Sequence, residues 1–312
     1  MNGSGKKIIT EVRPHLYLIG LKQKIEKFGS FIGSWVYDGE EKFLVDVGPR
    51  ASVEQLLEGL KILGVKKLDF IFLTHIHIDH AGGTGILADR FPEAKVICHE
   101  SGIHHLMNPQ KLWEGSKKVL GDLALKYGEI APVAGEHLLS PEKFTGKGFE
   151  VIKTPGHASH HLSFVFSDYL FAGEAGGVYI DLGGRPYLRP ATPPKFILEE
   201  AVGSIDKLLE AKAREICYAH LGIHPDAQGM LRRYRAQLHL WRDVIAEQMA
   251  RSTKNDLEDL VRRCITVLVE RDELFRPFKD LGEEDKEREN YFVRNGIQGI
   301  SEYVASFKDR EK

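Results

Sequence analysis

Apolar positions recur at every second residue through much of the first two thirds of this chain and at every third or fourth in its last quarter. Residues 8–12 and 16–19 predict two short strands broken at Pro14, and 31–37 with 42–47, joined by the turn 38–41, predict a hairpin. Ser52 predicts the N-cap of a helix that carries Val53, Leu56, Leu57, Leu60 and Leu63 and stops at Gly64. An apolar run at 68–73, a helix from about Gly83 to the Phe91-Pro92 step and a strand at 95–98 continue the alternation. Residues 99–148 are less regular and predict a partly helical insertion that could wall a substrate pocket. Strands follow at 149–153, 162–166, 169–174 and 215–220, with a helix at 199–213. Residues 179–194, rich in Gly, Pro and Arg, predict a lid or entrance loop.

From about Met230 the period is helical throughout. Leu231, Tyr234, Leu238, Trp241, Ile245 and Met249 form one stripe, Leu257, Leu260, Cys264 and Val267 a second, and Val293, Ile297, Ile300, Val304 and Phe307 a third. Three amphipathic helices are expected, their stripes read as core, with a homodimer seam as the alternative. The change of pattern predicts a boundary near residue 228, with 1–228 as one domain and 229–312 as an α-helical one.

With 312 residues and 42% hydrophobic content the chain can bury a large core. Lys and Arg number 43 against 45 Asp and Glu, a net charge of −2, so no global field recruits nucleic acid or an anionic membrane. The opening residues 1–7 lack the apolar core of a signal peptide and no run approaches a membrane span, so a cytoplasmic protein is expected. Cys98, Cys217 and Cys264 are far apart and make no Cys-x-x-Cys pair, which argues for small buried apolar residues rather than a disulfide framework.

The chemistry is concentrated at 74–83, where His75, His77, Asp79 and His80 follow the apolar run within six residues. An extended chain puts residues i and i+2 on one face, so His75 and His77 can address one ion while Asp79 and His80, on the turn that follows, address a second. Imidazole and carboxylate donors without thiolate favour Zn, Mn or Fe.

The motif His75-x-His77-x-Asp79-His80 resembles that of the metallo-β-lactamase superfamily. Further positions recur in the family's order across about the first 225 residues: Asp46 at a strand end, His157 in Thr154-Pro155-Gly156-His157, and His220. The resemblance implies an α/β (α+β) fold, the αββα four-layer sandwich, here as a catalytic domain over 1–228 with a C-terminal helical extension. It implies two divalent ions, zinc with iron or manganese as alternatives, one on His75, His77 and His157 and the other on Asp79, His80 and His220. It makes Asp46 a residue that orients a ligand or the motif's backbone. Glu174 stands where the family usually has an aspartate bridging the metals; it is expected as a ligand that bridges, binds one ion, or leaves a single-ion site. His161 matches a glyoxalase II pattern and is expected behind the ligands or at the surface. Tyr179, Tyr187 and Arg189, on the lid, are candidate substrate contacts.

The expected function is cleavage of a small-molecule thioester, ester or lactone by a metal-bound hydroxide, with Asp79 as ligand and proton acceptor. Alternatives are a phosphodiesterase or ribonuclease, for which no basic path is evident, a mononuclear iron persulfide dioxygenase, and a metal-stabilised binding module without turnover. No counterpart of a basic glutathione-binding cluster is recognisable.

Overall fold

The structure, a computed structural model, describes residues 9–23, 25, 31–251 and 256–308, the side chains of 307 and 308 excepted. The expected strand start at residue 8, the opening segment 1–7 and the Phe307 side chain lie outside these. By its internal contacts the chain forms two units, Met1–Val151 with Ala219–Leu221, and Ile152–Tyr218 with Gly222–Lys312. The fold class is α/β, with mixed sheets, helices and a helical C-terminal segment.

The first unit contains, in order, β1 (Ile9–Arg13), β2 (Leu16–Leu21), β3 (Ile32–Asp38), β4 (Lys42–Val45), α1 (Val53–Ile62), β5 (Phe70–Phe72), α2 (Ile78–Ala81), α3 (Thr84–Arg90), β6 (Lys95–Ile97), α4 (Glu100–Met107), α5 (Gln110–Leu120), α6 (Asp122–Tyr127) and β7 (Leu138–Leu139). The irregular stretch 99–148 thus supplies three helices. Its sheet of seven strands runs in order β1 to β7. Pairing is antiparallel from β1 to β4 and parallel from β4 to β7, where helices make the crossovers. Phe43, Phe70, Phe72, Phe144 and Phe149 pack together with ring centroids 5.0–5.8 Å apart, mostly edge to face. Ser52 stands at the N-cap position of α1, but its side chain makes no capping bond. The chain enters that helix through a 3₁₀ turn, and the Ser52 hydroxyl accepts from Gln23 Nε2 at 2.8 Å instead.

The second unit begins within β8 (Phe149–Lys153) and adds β9 (Leu162–Phe166), β10 (Tyr169–Gly173), β11 (Val178–Asp181), β12 (Pro186–Arg189), α7 (Leu198–Glu210), β13 (Glu215–Tyr218), β14 (Gly222–His224), α8 (Ala227–Ala250), α9 (Leu257–Arg271) and α10 (Glu283–Lys308). Its sheet of five strands runs β14-β13-β10-β9-β8, with β10 and β13 parallel and a register shift on β10 between Phe171 and Gly173. The expected lid over 179–194 is corrected here: most of it is the two-stranded ribbon β11–β12, in register from Val178↔Arg189 to Asp181↔Pro186.

The tail stripes are core. Leu231, Tyr234, Leu238, Trp241 and Ile245 of α8, Leu260 and Cys264 of α9, and Val293, Ile297, Ile300 and Val304 of α10 are buried in one apolar cluster with Leu170, Ile205, Ile216 and Tyr218. Stripes at helical spacing bury well against each other, which is why these three segments fold as helices. Asp226 and Asp256 cap α8 and α9 by accepting from backbone N–H groups one turn in. No helix among the described residues is long and apolar enough to cross a membrane. Cys98, Cys217 and Cys264 are buried, and burial pushes the Cys98 and Cys264 thiols up to about 12.

One ionic cluster ties α10 to β12. The buried Glu289 carboxylate accepts from Arg189 Nε, from the Tyr187 hydroxyl at 2.9 Å and from Arg288 Nε at 3.3 Å. Burial alone would raise the Glu289 carboxyl, but the Arg189 and Arg288 guanidinium charges outweigh it and hold the group below the usual carboxylate range. Glu289→Gln leaves the Arg189 cation buried without its counter-charge, so unfolding free energy at neutral pH should fall by about 3–5 kcal/mol in a urea titration. A depressed carboxyl stabilises the fold above its unfolded value and loses that contribution as pH falls through its folded value. The gap between wild type and Glu289→Gln should therefore narrow on acidification.

Candidate metal centre

In the first unit the donors gather at the carboxyl ends of two parallel strands. The register Val45↔Phe72 sets Asp46 beside the His motif, and the Asp46 N–H donates to Phe72 O at 2.9 Å. Asp46 is buried with φ 60°, a left-handed conformation that costs a non-glycine residue about 1 kcal/mol. Its carboxylate offsets that cost by accepting from the Thr74 N–H at 2.8 Å, the Thr74 hydroxyl at 2.7 Å and His80 Nδ1 at 3.0 Å.

These bonds decide which nitrogen of each ring is available. An ionised carboxylate only accepts, so His80 Nδ1 carries the proton and Nε2 the lone pair. Thr74 has given its one hydroxyl proton to Asp46, so it accepts from His75 Nδ1 at 3.1 Å, and His75 likewise offers Nε2. The His75 ring centroid lies 4.5 Å from that of His77 and 4.2 Å from that of His80. Asp79, His80 and His220 each offer a ligand atom within 4.8 Å of the others, and Asp79 Oδ2 is 3.5 Å from His80 Nε2. Phe31 stacks on His220 at 4.2 Å and 10°, which fixes the plane of that ring.

In the second unit His157 sits on the loop after β8. Gly156 has φ 147°, and a Cβ there would lie 2.9 Å from Ala201 Cα, so only glycine lets the loop pass α7 this closely. The Ser204 hydroxyl of α7 donates to Pro155 O at 2.6 Å. His157 Nδ1 donates to Ala191 O at 3.1 Å, which leaves Nε2 as the lone-pair nitrogen, yet Nε2 is 2.8 Å from Glu174 Oε2. Two lone pairs at that distance repel unless a cation stands with them, either a second ring proton or a metal ion. Imidazole and carboxylate donors without thiolate fit Zn, Mn or Fe.

His161 is buried behind Glu174. Its Nε2 accepts from the Glu174 N–H at 3.0 Å, so its Nδ1 donates to Thr154 Oγ1 at 2.8 Å. The Thr154 hydroxyl must then donate to Ser163 Oγ at 3.0 Å, and the Ser163 hydroxyl donates to Ala172 O at 3.1 Å. Each direction in this relay follows from the backbone N–H at one end and the carbonyl at the other, and both ends flank Gly173.

The three lid candidates face inward. Tyr187 is wholly buried and Arg189 is 3% exposed, both bound to Glu289. Tyr179 is 4% exposed and stacks on Tyr218 at 4.8 Å, and burial pushes its hydroxyl up to about 12. The ribbon's register sets Tyr179 on one face and Tyr187 and Arg189 on the other; both tyrosines are buried in the apolar cluster, and Arg189 is held by Glu289. Sequence reasoning missed Thr74, Thr154 and the Ala191 carbonyl. A threonine directly before each histidine-bearing turn was the available signal for the first two; the carbonyl had none.

A family model described as the metallo-beta-lactamase superfamily matches residues 31–220. The chain belongs to that superfamily. Among curated relatives, the metallo-beta-lactamase fold-containing protein ST1585 of Sulfurisphaera tokodaii is 34% identical over 50% of this chain and 62% of its own. A hydroxyacylglutathione hydrolase of Synechococcus is 32% identical over 54% of this chain and 56% of its own. The match thus spans under two thirds of either relative. The crystal structure of ST1585 from Sulfolobus tokodaii is 24% identical with a TM-score of 0.63, covering 91% of this chain and 98% of that one, which shows a shared fold.

Asp46→Ala removes three accepted bonds from buried donors. In metal-free protein it should lower unfolding free energy by about 3 kcal/mol or more in a denaturant titration, whereas Thr74→Ser, which keeps the hydroxyl, should stay within about 1 kcal/mol of wild type.

Proposed function

We propose that the protein is a metal-dependent hydrolase that cleaves a small-molecule thioester, ester or lactone. The observation that carries this reading is the 2.8 Å approach of His157 Nε2 to Glu174 Oε2 while Nδ1 is held by a carbonyl. Such an approach answers to a cation. Superfamily membership and the hydroxyacylglutathione hydrolase among the relatives add support for water as nucleophile and an acyl carbon as target.

In this reading His75, His77 and His157, joined by Glu174, hold one divalent ion, and Asp79, His80 and His220 hold another. Bound there, the ions would supply a Lewis acid for the substrate oxygen and lower the pKa of an attacking water from 15.7 to about 7. The residues do the rest. Asp46 and Thr74 keep the Nε2 lone pairs of His80 and His75 aimed outward, so the rings need not choose a tautomer when they bind. Asp79, more exposed than its neighbour His80, accepts the proton of the attacking water. Water adds to the acyl carbon, the C–S or C–O bond breaks, and the proton taken by Asp79 goes to the departing thiolate or alkoxide. Glu174, one methylene longer than aspartate, reaches His157 from a backbone fixed by His161.

The test is metal analysis followed by a substrate panel. About two ions per chain and hydrolysis of thioesters or aryl esters that chelation abolishes and zinc restores are the expected result. His77→Ala or Asp79→Ala should lower kcat/KM at least about a hundredfold while the circular dichroism spectrum is kept. Hydrolysis confined to bis-aryl phosphodiesters, oxygen consumption with a single iron, or rates unchanged in either variant would sink the reading.

A further inference from the structure

We propose that α10 is a positioning element of the metal centre, acting through the strap 189–193 that holds His157. The inference rests on His157 being a ligand, as argued above. One face of α10 carries Glu289, Phe292, Gly296 and Gly299, at intervals of three, four and three residues, the spacing of a single helical stripe. Each of the four meets the strap. Glu289 accepts from Arg189 Nε, and the ring of Phe292 lies 4.9 Å from the Arg189 guanidinium carbon. Gly296 O accepts from the Thr192 hydroxyl at 3.1 Å. At Gly299 the helix backbone comes so close that a Cβ would lie 2.2 Å from Thr192 O and 2.6 Å from Pro193 O.

Between these four anchors stands Ala191, whose carbonyl accepts from His157 Nδ1 at 3.1 Å. That bond sets both the tautomer and the angle of the ring, so a strap displaced by α10 would turn the Nε2 lone pair away from the ion. The helix therefore acts on the ion shared by His157 and Glu174 and leaves the donors Asp79, His80 and His220 untouched.

The experiment uses the full chain, zinc and a competing chelator. In Gly299→Ala one zinc should bind about 10- to 100-fold more weakly, the loss that residues supporting a ligand typically cause, while the second keeps its affinity. Gly203→Ala, on α7 with nothing within 4 Å of the added carbon, should leave both affinities unchanged. Thr192→Val should weaken the same zinc and Thr192→Ser should restore it, and this pair decides the matter if Gly299→Ala does not fold. Wild-type affinities in folded Gly299→Ala and in Thr192→Val, or equal loss of both ions, would overturn the proposal. His157→Ala separates the two readings: if it binds zinc as wild type does, the ligand assignment itself fails, whereas a weakened His157→Ala beside an unaffected Gly299→Ala removes only the role of the helix.

Discussion

A neutral imidazole has one N–H to spend, and where the protein spends it decides what the other nitrogen can do. Among the candidate metal ligands, His80 spends it at Nδ1 on the Asp46 carboxylate, His75 on the Thr74 hydroxyl and His157 on the Ala191 carbonyl. Each then presents a lone pair at Nε2. Two of those lone pairs face carboxylate oxygens, 3.5 Å away at Asp79 and 2.8 Å away at Glu174. Such an arrangement is repulsive without a positive charge, either a second ring proton or a metal ion, and the surrounding elements hold these donors in place. Much of the local architecture serves that end, including the left-handed Asp46, the glycine that lets the His157 loop pass α7, and the buried relay behind Glu174.

Parallel pairing is what places the donors. Strands β4 and β5 run the same way, so their carboxyl ends coincide and Asp46 meets Thr74 without any long loop. Strands β10 and β13 are parallel too, and Glu174 follows directly on the end of β10. In parallel sheets the residues just past the carboxyl ends are free of ladder pairing and can carry chemistry, while the strands themselves bury apolar side chains on their faces.

The parts legible in the sequence were those whose partners are near in the chain or whose period is strong. The hairpin of β3 and β4, helix α1, the motif turn and the three tail helices follow from alternation, helical stripes and donor spacing, and the family pattern pointed further to His157 and His220 as candidate donors. What was not legible depends on partners far away. Arg189 and Tyr187 read as exposed loop residues because Glu289, which draws them inward, lies 100 and 102 positions on. Ser52 takes the N-cap position as expected, but its hydroxyl makes no capping bond because it accepts from Gln23, 29 residues back. His161 could be placed near Glu174 by neither period nor spacing, since its role is a bond to a backbone N–H across two strands.

Glu174 shows how an irregular strand end is held in place. Pairing of β10 with β13 skips Ala172, so an extra residue enters the strand immediately before the turn that carries the glutamate. A bulge would ordinarily leave that segment loosely held. Here the carbonyl of the skipped residue accepts from Ser163, and the Glu174 N–H donates to His161, so the irregular backbone is bonded at both ends. Because every donor in that relay has its direction fixed, reversing one bond would leave a buried donor or acceptor without a partner. The relay therefore holds the Glu174 backbone in a single arrangement, and the side chain is aimed rather than merely accommodated.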